Sequence, residues 1–248
     1  MEGSVFFTHI PKTAGTSIKE RVFQNWVEKH DAEVTSCRGY WHLFRSQPRT
    51  DFLEGHYAYG VHRLLFGRGN TARYFVMLRD PIDRAISQYH FIRTCNNPWY
   101  RHPRLNEVRD QDLVSFYREP ENQNLLTKYA AGFQWELIGR HISLDGQIGQ
   151  RVLNCAKTHL VNRYEAYGLQ ERFEASARLF ADRLGVKVEE AAKRAKETSD
   201  RPAVSDLSAP VRQEMHDRNA LDVALYRFAK NRFEDQFEET MGRSSKTA

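Results

Sequence analysis

Short apolar runs alternate with amphipathic segments along this chain, as expected for strands that alternate with helices. Residues 5–7 and 72–78 are apolar runs of strand length, and the second is typical of a buried parallel strand. Helical spacing follows each run, over residues 18–29 and again from Pro81 onward. The pattern predicts an α/β fold with a central parallel sheet and helices on both faces.

The C-terminal half of the sequence has the spacing of helices. Phe173, Leu179, Phe180 and Leu184 lie in a long helical pattern, and a further helical pattern follows Pro210. Because 248 residues with 40% hydrophobic content can bury one substantial core, we expect a single domain over residues 1–241. Residues 242–248 are polar, and we predict that they form a disordered tail.

The turn between the first strand and the first helix has the composition of an anion-binding loop. Its residues are Lys12, Thr13, Ala14, Gly15, Thr16 and Ser17. At a helix N-terminus, unpaired backbone N–H groups and the helix dipole favour phosphate, while Lys12 adds a cation and Gly15 permits close approach. The order of Lys and Gly differs from that of the Walker A motif, in which Lys follows the second Gly. The loop also shows no position set aside for a metal ligand. An ordinary capped turn is the alternative.

A second candidate anion site follows the apolar run that ends at residue 78. Arg79 leaves the carboxyl end of this strand as Lys12 leaves the end of the first, and ligands of open parallel sheets bind at that edge. Ser87 lies two helical turns further on and could face the same anion. As an alternative, Arg79 pairs with Asp80 or Asp83 and Ser87 faces solvent.

These segments resemble the donor-binding motifs of one enzyme family. Residues 9–17 are similar to the 5′-phosphosulfate loop of the sulfotransferases that include heparan sulfate 2-O-sulfotransferases and related carbohydrate sulfotransferases. Residues 75–89 are similar to the 3′-phosphate motif of the same family, and weaker similarity continues in its order over residues 124–132, 168–174 and 219–228. Two such motifs at strand ends, about sixty residues apart, are far more specific than either alone.

The resemblance implies a P-loop-like nucleotide-binding fold, a helical C-terminal half that closes over the nucleotide, and the donor 3′-phosphoadenosine 5′-phosphosulfate. The 5′ end of the donor would lie in residues 12–17, and its 3′-phosphate would contact Arg79 and Ser87. Thr198 and Arg201, in a segment similar to the loop that covers the nucleotide in this family, are further candidates for that phosphate. A solvated basic helix end is their alternative. No metal is expected, because a sulfuryl group carries less charge than a phosphoryl group.

The candidate general base lies in residues 52–60. His56 can be neutral near pH 7 and accept a hydroxyl proton, and its Gly-His-x-x-Tyr-Gly pattern resembles the family's catalytic His segment. Glu54 stands where uronosyl 2-O-sulfotransferases carry a second His, so it could orient His56 or act on its own. Lys12 is the candidate for stabilising charge on the leaving phosphate. A purely structural histidine is the alternative for His56.

Composition limits the classes of partner and the cellular setting that we expect for this protein. The formal net charge is +5, but the basic residues are dispersed among 32 acidic ones, so nucleic acid is not expected as a partner. Three widely spaced Cys residues without a CxxC pair predict free thiols. Residues 1–4 lead into the first strand, and no apolar run approaches the roughly 18 residues of a membrane span, so we expect a cytoplasmic protein without a signal peptide or such a span. A trimmed membrane anchor is the alternative.

The resemblance therefore implies a sulfotransferase that moves the sulfuryl group of 3′-phosphoadenosine 5′-phosphosulfate to an acceptor hydroxyl, and we expect a carbohydrate as the first choice of acceptor. Lipids and small hydroxyl metabolites stay open, as does the oligomeric state. Trp99 and the basic residues around it in residues 96–104 could hold a glycan, with an ordinary surface loop as the alternative. Two other classes remain: a P-loop-type kinase or NTPase, and a non-catalytic protein that binds a nucleotide or nucleic acid.

Overall fold

The computed structural model describes residues 3–37, 40, 43, 50–66, 72–97, 99–189 and 201–247. The strands in these ranges are β1 (Ser4–Thr8), β2 (Val34–Cys37), β3 (Phe52–Gly55), β4 (Ala72–Leu78), β5 (Asn96–Asn97), β6 (Tyr100–Arg101) and β7 (Tyr164–Leu169). The helices are α1 (Gly15–Ile18), α2 (Gln24–His30), α3 (His62–Phe66), α4 (Pro81–Thr94), α5 (Leu105–Val108), α6 (Leu113–Arg118), α7 (Leu125–Ala131), α8 (Phe133–Ile138), α9 (Gly146–Asn162), α10 (Phe173–Leu184), α11 (Ala209–Arg218) and α12 (Ala220–Thr247). A π-helical turn (Lys19–Phe23) joins α1 to α2.

The central sheet has five strands in the order β2-β3-β1-β4-β7, and every neighbouring pair is parallel. Thr8 of β1 pairs with Gly55 of β3 on one side and with Val76 of β4 on the other. The carboxyl ends of these strands therefore meet at one edge of the sheet, where ligands of open α/β sheets bind. The predicted α/β fold with a central parallel sheet is confirmed.

Helices cover both faces of the sheet because the inner strands β1 and β4 are apolar on both sides. Phe7 packs against Phe23 of the helix after the loop, with ring centroids 4.8 Å apart, and Phe180 of α10 lies on the same face. Phe6 points to the opposite face, where its ring stacks on Tyr74 at 4.9 Å. Burial on both faces explains why β1 reads as an unbroken apolar run.

Helix α4 begins where the sequence predicts. Asp80 caps it, because its carboxylate accepts hydrogen bonds from the backbone N–H groups of Ile82 and Asp83, both at 3.0 Å, and Pro81 occupies the first turn. The helix packs through Ile86 and its neighbours against α6 and α11 in a second apolar cluster. The end of β4 and the start of α4 are thus held rigidly together.

The C-terminal helices are joined to α7 by buried polar groups. The Asp222 carboxylate accepts hydrogen bonds from the backbone N–H groups of Leu126 and Thr127, at 3.0 and 2.7 Å. The Asn124 side chain in turn accepts the N–H of Leu221 at 3.0 Å. These hydrogen bonds provide partners for N–H groups at the starts of α7 and α12, which have no partner within their own helix.

The end of the chain differs from the sequence prediction. Helix α12 continues to Thr247, where the sequence predicts a disordered tail from Gly242. Cys95 and Cys155 are free thiols, as predicted, and the side chain of Cys37 is outside the described part of the structure. Among the helices that the structure describes, none combines the length and the apolar character needed to cross a bilayer.

Candidate active site

The loop after β1 has a strained backbone. Lys12 and Ala14 have φ values of 67° and 63°, in the left-handed region that non-glycine residues rarely adopt. Such residues cost on the order of 1–3 kcal/mol each and cluster at ligand-binding sites. Buried Thr13 helps to hold this conformation, because its hydroxyl donates a hydrogen bond to the Ile10 carbonyl at 2.9 Å. The loop leads directly into α1, so its backbone N–H groups lie at the start of a helical segment.

Gly15 has a different role from the one that the sequence suggests. A Cβ at this position would lie 2.2 Å from Cδ2 of His9, far closer than any real contact. The side chain of His9, rather than a ligand, occupies the space that Gly15 leaves. The absence of a Cβ therefore lets the loop close down on the end of β1.

His9 and His56 lie side by side because of the strand register. Thr8 and Gly55 are paired in the parallel sheet, so the next residue of each strand reaches the same point of the edge. The two imidazole rings are 4.9 Å apart between centroids. Burial, followed by the charges of His56 and Lys19, lowers the pKa of His9 to about 3, so this ring is neutral at ordinary pH.

The backbone of His9 fixes the tautomer of His56. Nδ1 of His56 lies 2.7 Å from the carbonyl oxygen of His9. Since a carbonyl can only accept, Nδ1 carries the proton, and in the neutral ring Nε2 keeps its lone pair. His56 is exposed, so Nε2 can meet a proton donor that arrives from solution.

In the described part of the structure, Glu54 contacts neighbouring strand and helix residues rather than the imidazole of His56. Its carboxylate accepts a hydrogen bond from Ser36 at 2.7 Å and forms an ion pair with Lys19 at 3.2 Å. Lys19 lies in the π-helical turn after the loop and Ser36 on the neighbouring strand β2, so both partners are close to the end of β3. Glu54 thus ties β3 to β2 and to the helix that follows the loop, while the His9 carbonyl orients His56.

Arg79 joins the two motifs that the sequence separates. Its Nη1 donates to the carbonyl oxygen of Lys12 at 3.0 Å, and its Nε donates to Asp83 at 2.9 Å, with Nη2 on the same carboxylate oxygen. Nη1 of Arg201 lies 2.5 Å from the other oxygen of Asp83. The pairing with Asp83, which was the alternative for Arg79, is present. Arg79 also contacts the loop of residues 12–17, which we call the phosphate-type loop. Arg79 and Arg201 therefore share one carboxylate, and the backbone of Lys12 is joined to this pair through Arg79.

The cations of this cluster outnumber its acid. Burial, then the charges of Arg79 and Arg201, lower the pKa of Lys12. Burial alone would raise the pKa of Asp83, but the hydrogen bond from Arg201 and the charge of Arg79 outweigh it and hold that pKa below its usual range. Asp83 is thus an anion that cannot neutralise all its neighbours, and the surplus positive charge suits a phosphate group.

The model of the sulfotransferase family matches residues 2–229, which is most of the chain. The chain belongs to the sulfotransferase family. The resemblance drawn from the motifs is thereby confirmed at the level of the family, and the activity as that of a sulfotransferase. A comparison with curated proteins gave no match.

One face of α4 in this sulfotransferase carries residues of the site at intervals of one turn. Asp83, Ser87 and Phe91 are four residues apart, so they lie on the same stripe of the helix. Asp83 contacts Arg79, while the Phe91 ring lies under Nζ of Lys12 at 4.5 Å from its centroid. Ser87, 2% exposed, is between them on that stripe. The sequence motifs point to Ser87 but not to Phe91, although the interval of four residues between them could have indicated Phe91.

The structure brings together most of the residues predicted from the sequence. Lys12, Arg79 and Arg201 share one cluster, and His56 lies at the neighbouring strand end. Thr198 lies outside the described residues. Sequence reasoning gave Asp83 only as an alternative partner of Arg79 and did not connect it to Arg201, because nothing in the spacing places residue 201 against α4.

Proposed function

We propose that this sulfotransferase transfers the sulfuryl group of 3′-phosphoadenosine 5′-phosphosulfate to a hydroxyl of a carbohydrate acceptor, with His56 as the general base. The observation that supports this most is the hydrogen bond from Arg79 to the Lys12 carbonyl at 3.0 Å. It makes one continuous surface of two motifs that would otherwise be separate anion sites. A nucleotide with phosphate groups at both its 3′ and 5′ positions fits such a surface.

The donor would lie along this surface with its two charged ends apart. The backbone N–H groups of residues 12–17 and the Lys12 ammonium would hold the 5′-phosphosulfate. Arg79, Arg201 and Ser87 would hold the 3′-phosphate, with Thr198 as a further candidate. The surplus positive charge around Asp83 supports this assignment, since a phosphate monoester carries up to two negative charges.

The transfer step follows from the tautomer of His56. Its Nε2 accepts the proton of the acceptor hydroxyl while the hydroxyl oxygen bonds to sulfur and the bond from sulfur to the 5′-phosphate oxygen breaks. The electron pair of that bond leaves with the phosphate, and Lys12 stabilises the charge that develops there. The products are a sulfate ester and 3′-phosphoadenosine 5′-phosphate, with the proton on His56.

In the proposed reaction, Glu54 has a structural role: its contacts hold the end of β3 in place. Its ion pair with Lys19 and its hydrogen bond with Ser36 hold the end of β3, on which His56 depends for its position. The carboxylate is 14% exposed, so its contacts are partly shielded from water. Glu54 thus contributes to the placement of the base rather than to the proton transfer.

Ligand-dependent melting of the protein tests the donor. We expect 3′-phosphoadenosine 5′-phosphate to raise the melting temperature without magnesium, because a ligand at a hundredfold excess over its dissociation constant adds about 2.7 kcal/mol. ATP with magnesium should raise it much less. Transfer of label from the sulfuryl donor to a polysaccharide then tests the reaction. A larger effect of ATP with magnesium, or no effect of the 3′-phosphorylated nucleotide, would contradict the donor assignment.

A further inference from the structure

A two-stranded hairpin after α4 exposes two aromatic side chains. Strands β5 and β6 pair antiparallel, and Trp99 lies in the turn between them with 94% of its surface exposed. Tyr100, the next residue, is 49% exposed. Large aromatic side chains lose favourable burial when they remain in water, so exposure of two adjacent ones is typical of a binding surface.

This hairpin is anchored to the part of α4 that contacts the phosphate-type loop. The backbone N–H of Cys95 donates to the Phe91 carbonyl at 2.9 Å, and that of His102 donates to the Cys95 carbonyl at 3.0 Å. The His102 ring contacts the edge of Phe91, with centroids 5.9 Å apart, and Tyr100 contacts His102 at 6.4 Å. Since Nζ of Lys12 lies over Phe91, Tyr100 is only two ring contacts away from the ring beneath Lys12.

We propose that Trp99, with Tyr100 beside it, forms a stacking subsite for a pyranose ring of the acceptor. The inference rests on the proposed function, because that proposal assigns Lys12 to the sulfuryl-bearing end of the donor and the hairpin is linked to Lys12 through His102 and Phe91. The C–H face of a pyranose is apolar and flat, and a rigid aromatic ring offers it a matching surface at little cost in side-chain entropy.

The surroundings of the hairpin favour a sugar over an acyl chain. Asn96 and Arg101, on the paired strands next to the two aromatic residues, are exposed polar side chains. The apolar surface is therefore limited to one or two rings and has a polar rim. A sugar, with an apolar face and hydroxyl groups around its edge, fits this arrangement, whereas a long apolar chain would need a continuous apolar groove.

A fluorescence titration without donor tests the subsite independently of transfer. The probes are dextran, chitohexaose and chondroitin, which represent a neutral glucan, an amino-sugar oligomer and a uronate-containing polymer. We expect at least one probe to shift the emission of the exposed Trp99. Isothermal titration should show binding that is about tenfold weaker in Trp99→Ala and close to wild type in Trp99→Phe.

Val161→Ala is the matched control. Val161 is an exposed apolar residue, 43% exposed, near the end of α9 and just before β7 begins, at the opposite edge of the sheet from Lys12. This variant should bind the glycan probe like the wild type. In transfer assays with that probe, Trp99→Ala should raise KM about tenfold with kcat nearly unchanged, as expected for a contact made equally in the ground and transition states.

Two results would overturn the subsite: equal glycan affinity of Trp99→Ala and the wild type, or no binding of any of the three probes. Melting with 3′-phosphoadenosine 5′-phosphate, measured on every variant, checks folding and separates the two proposals. A protein that binds the probes through Trp99 but not the nucleotide would keep the subsite and lose the proposed donor. The reverse result would remove the subsite alone.

Discussion

Lowering the pH from 8 to 5 should destabilise the fold through His9. Burial holds the pKa of this ring at about 3, against an ordinary value of 6.5, so the unfolded chain takes up a proton that the folded protein does not. The stability due to the neutral ring is complete above pH 6.5 and is lost as the pH falls towards 3. At pH 5, roughly 1.5 units below the unfolded value, the loss is about 2 kcal/mol, since one unit corresponds to about 1.4 kcal/mol.

This magnitude depends little on the folded pKa, because pH 5 lies well above it. Thermal melting of the wild type and of His9→Gln at pH 8 and pH 5 measures the effect, and the comparison removes the contribution of other groups such as His62, whose pKa burial lowers to about 4. For a chain of this size, about 2 kcal/mol corresponds to roughly 4–8 °C in melting temperature. Between pH 8 and pH 5 the melting temperature of the wild type should therefore fall by that much more than the melting temperature of His9→Gln. Parallel falls in the two proteins would show that His9 is protonated in the folded state and would refute the reasoning.

Three further predictions concern the site. His56→Ala should lower kcat about a hundredfold to ten-thousandfold with nucleotide affinity almost unchanged, and wild-type turnover at saturating substrates would remove His56 as the base. Arg79→Ala should weaken 3′-phosphoadenosine 5′-phosphate by about 1.5–3 kcal/mol in calorimetry but leave AMP, which has no 3′-phosphate, much less affected; equal losses for both ligands would place Arg79 elsewhere. Glu54→Gln should lower activity less than His56→Ala and leave the pH dependence of kcat unchanged, whereas a shifted pH profile would mean that the carboxylate takes part in proton transfer.

The parts of the fold that the sequence predicts well are those with local signals. β4 and the start of α4 could be placed because an apolar run ends at a cap followed by Pro81. β2 gave no such signal, since it is an edge strand with polar residues and its first residue, Val34, is 46% exposed. An edge strand needs less apolar surface, so a search for apolar runs passes over it.

In the candidate site, too, the residues with local sequence signals could be predicted, whereas contacts that depend on the fold could not. The rule that ligands bind at the carboxyl edge of parallel strands was enough to relate Lys12 to Arg79. It could not tell which group orients His56, because that depends on the register of β1 against β3, which pairs Thr8 with Gly55. Nor could it relate Arg201 to Asp83, since that contact joins residues 118 positions apart in the chain.

The stripe of Asp83, Ser87 and Phe91 makes α4 a spacer of fixed length between the two ends of the donor site. Eight residues of α-helix rise roughly 12 Å, and the regular hydrogen bonds of the helix fix this distance. A one-residue insertion between Asp83 and Phe91 would also turn the later residue by about 100°, away from Lys12. We therefore expect variation in chain length to be tolerated in the hairpin beyond α4 but not within these two turns, so that a change of acceptor need not alter the spacing of the donor groups.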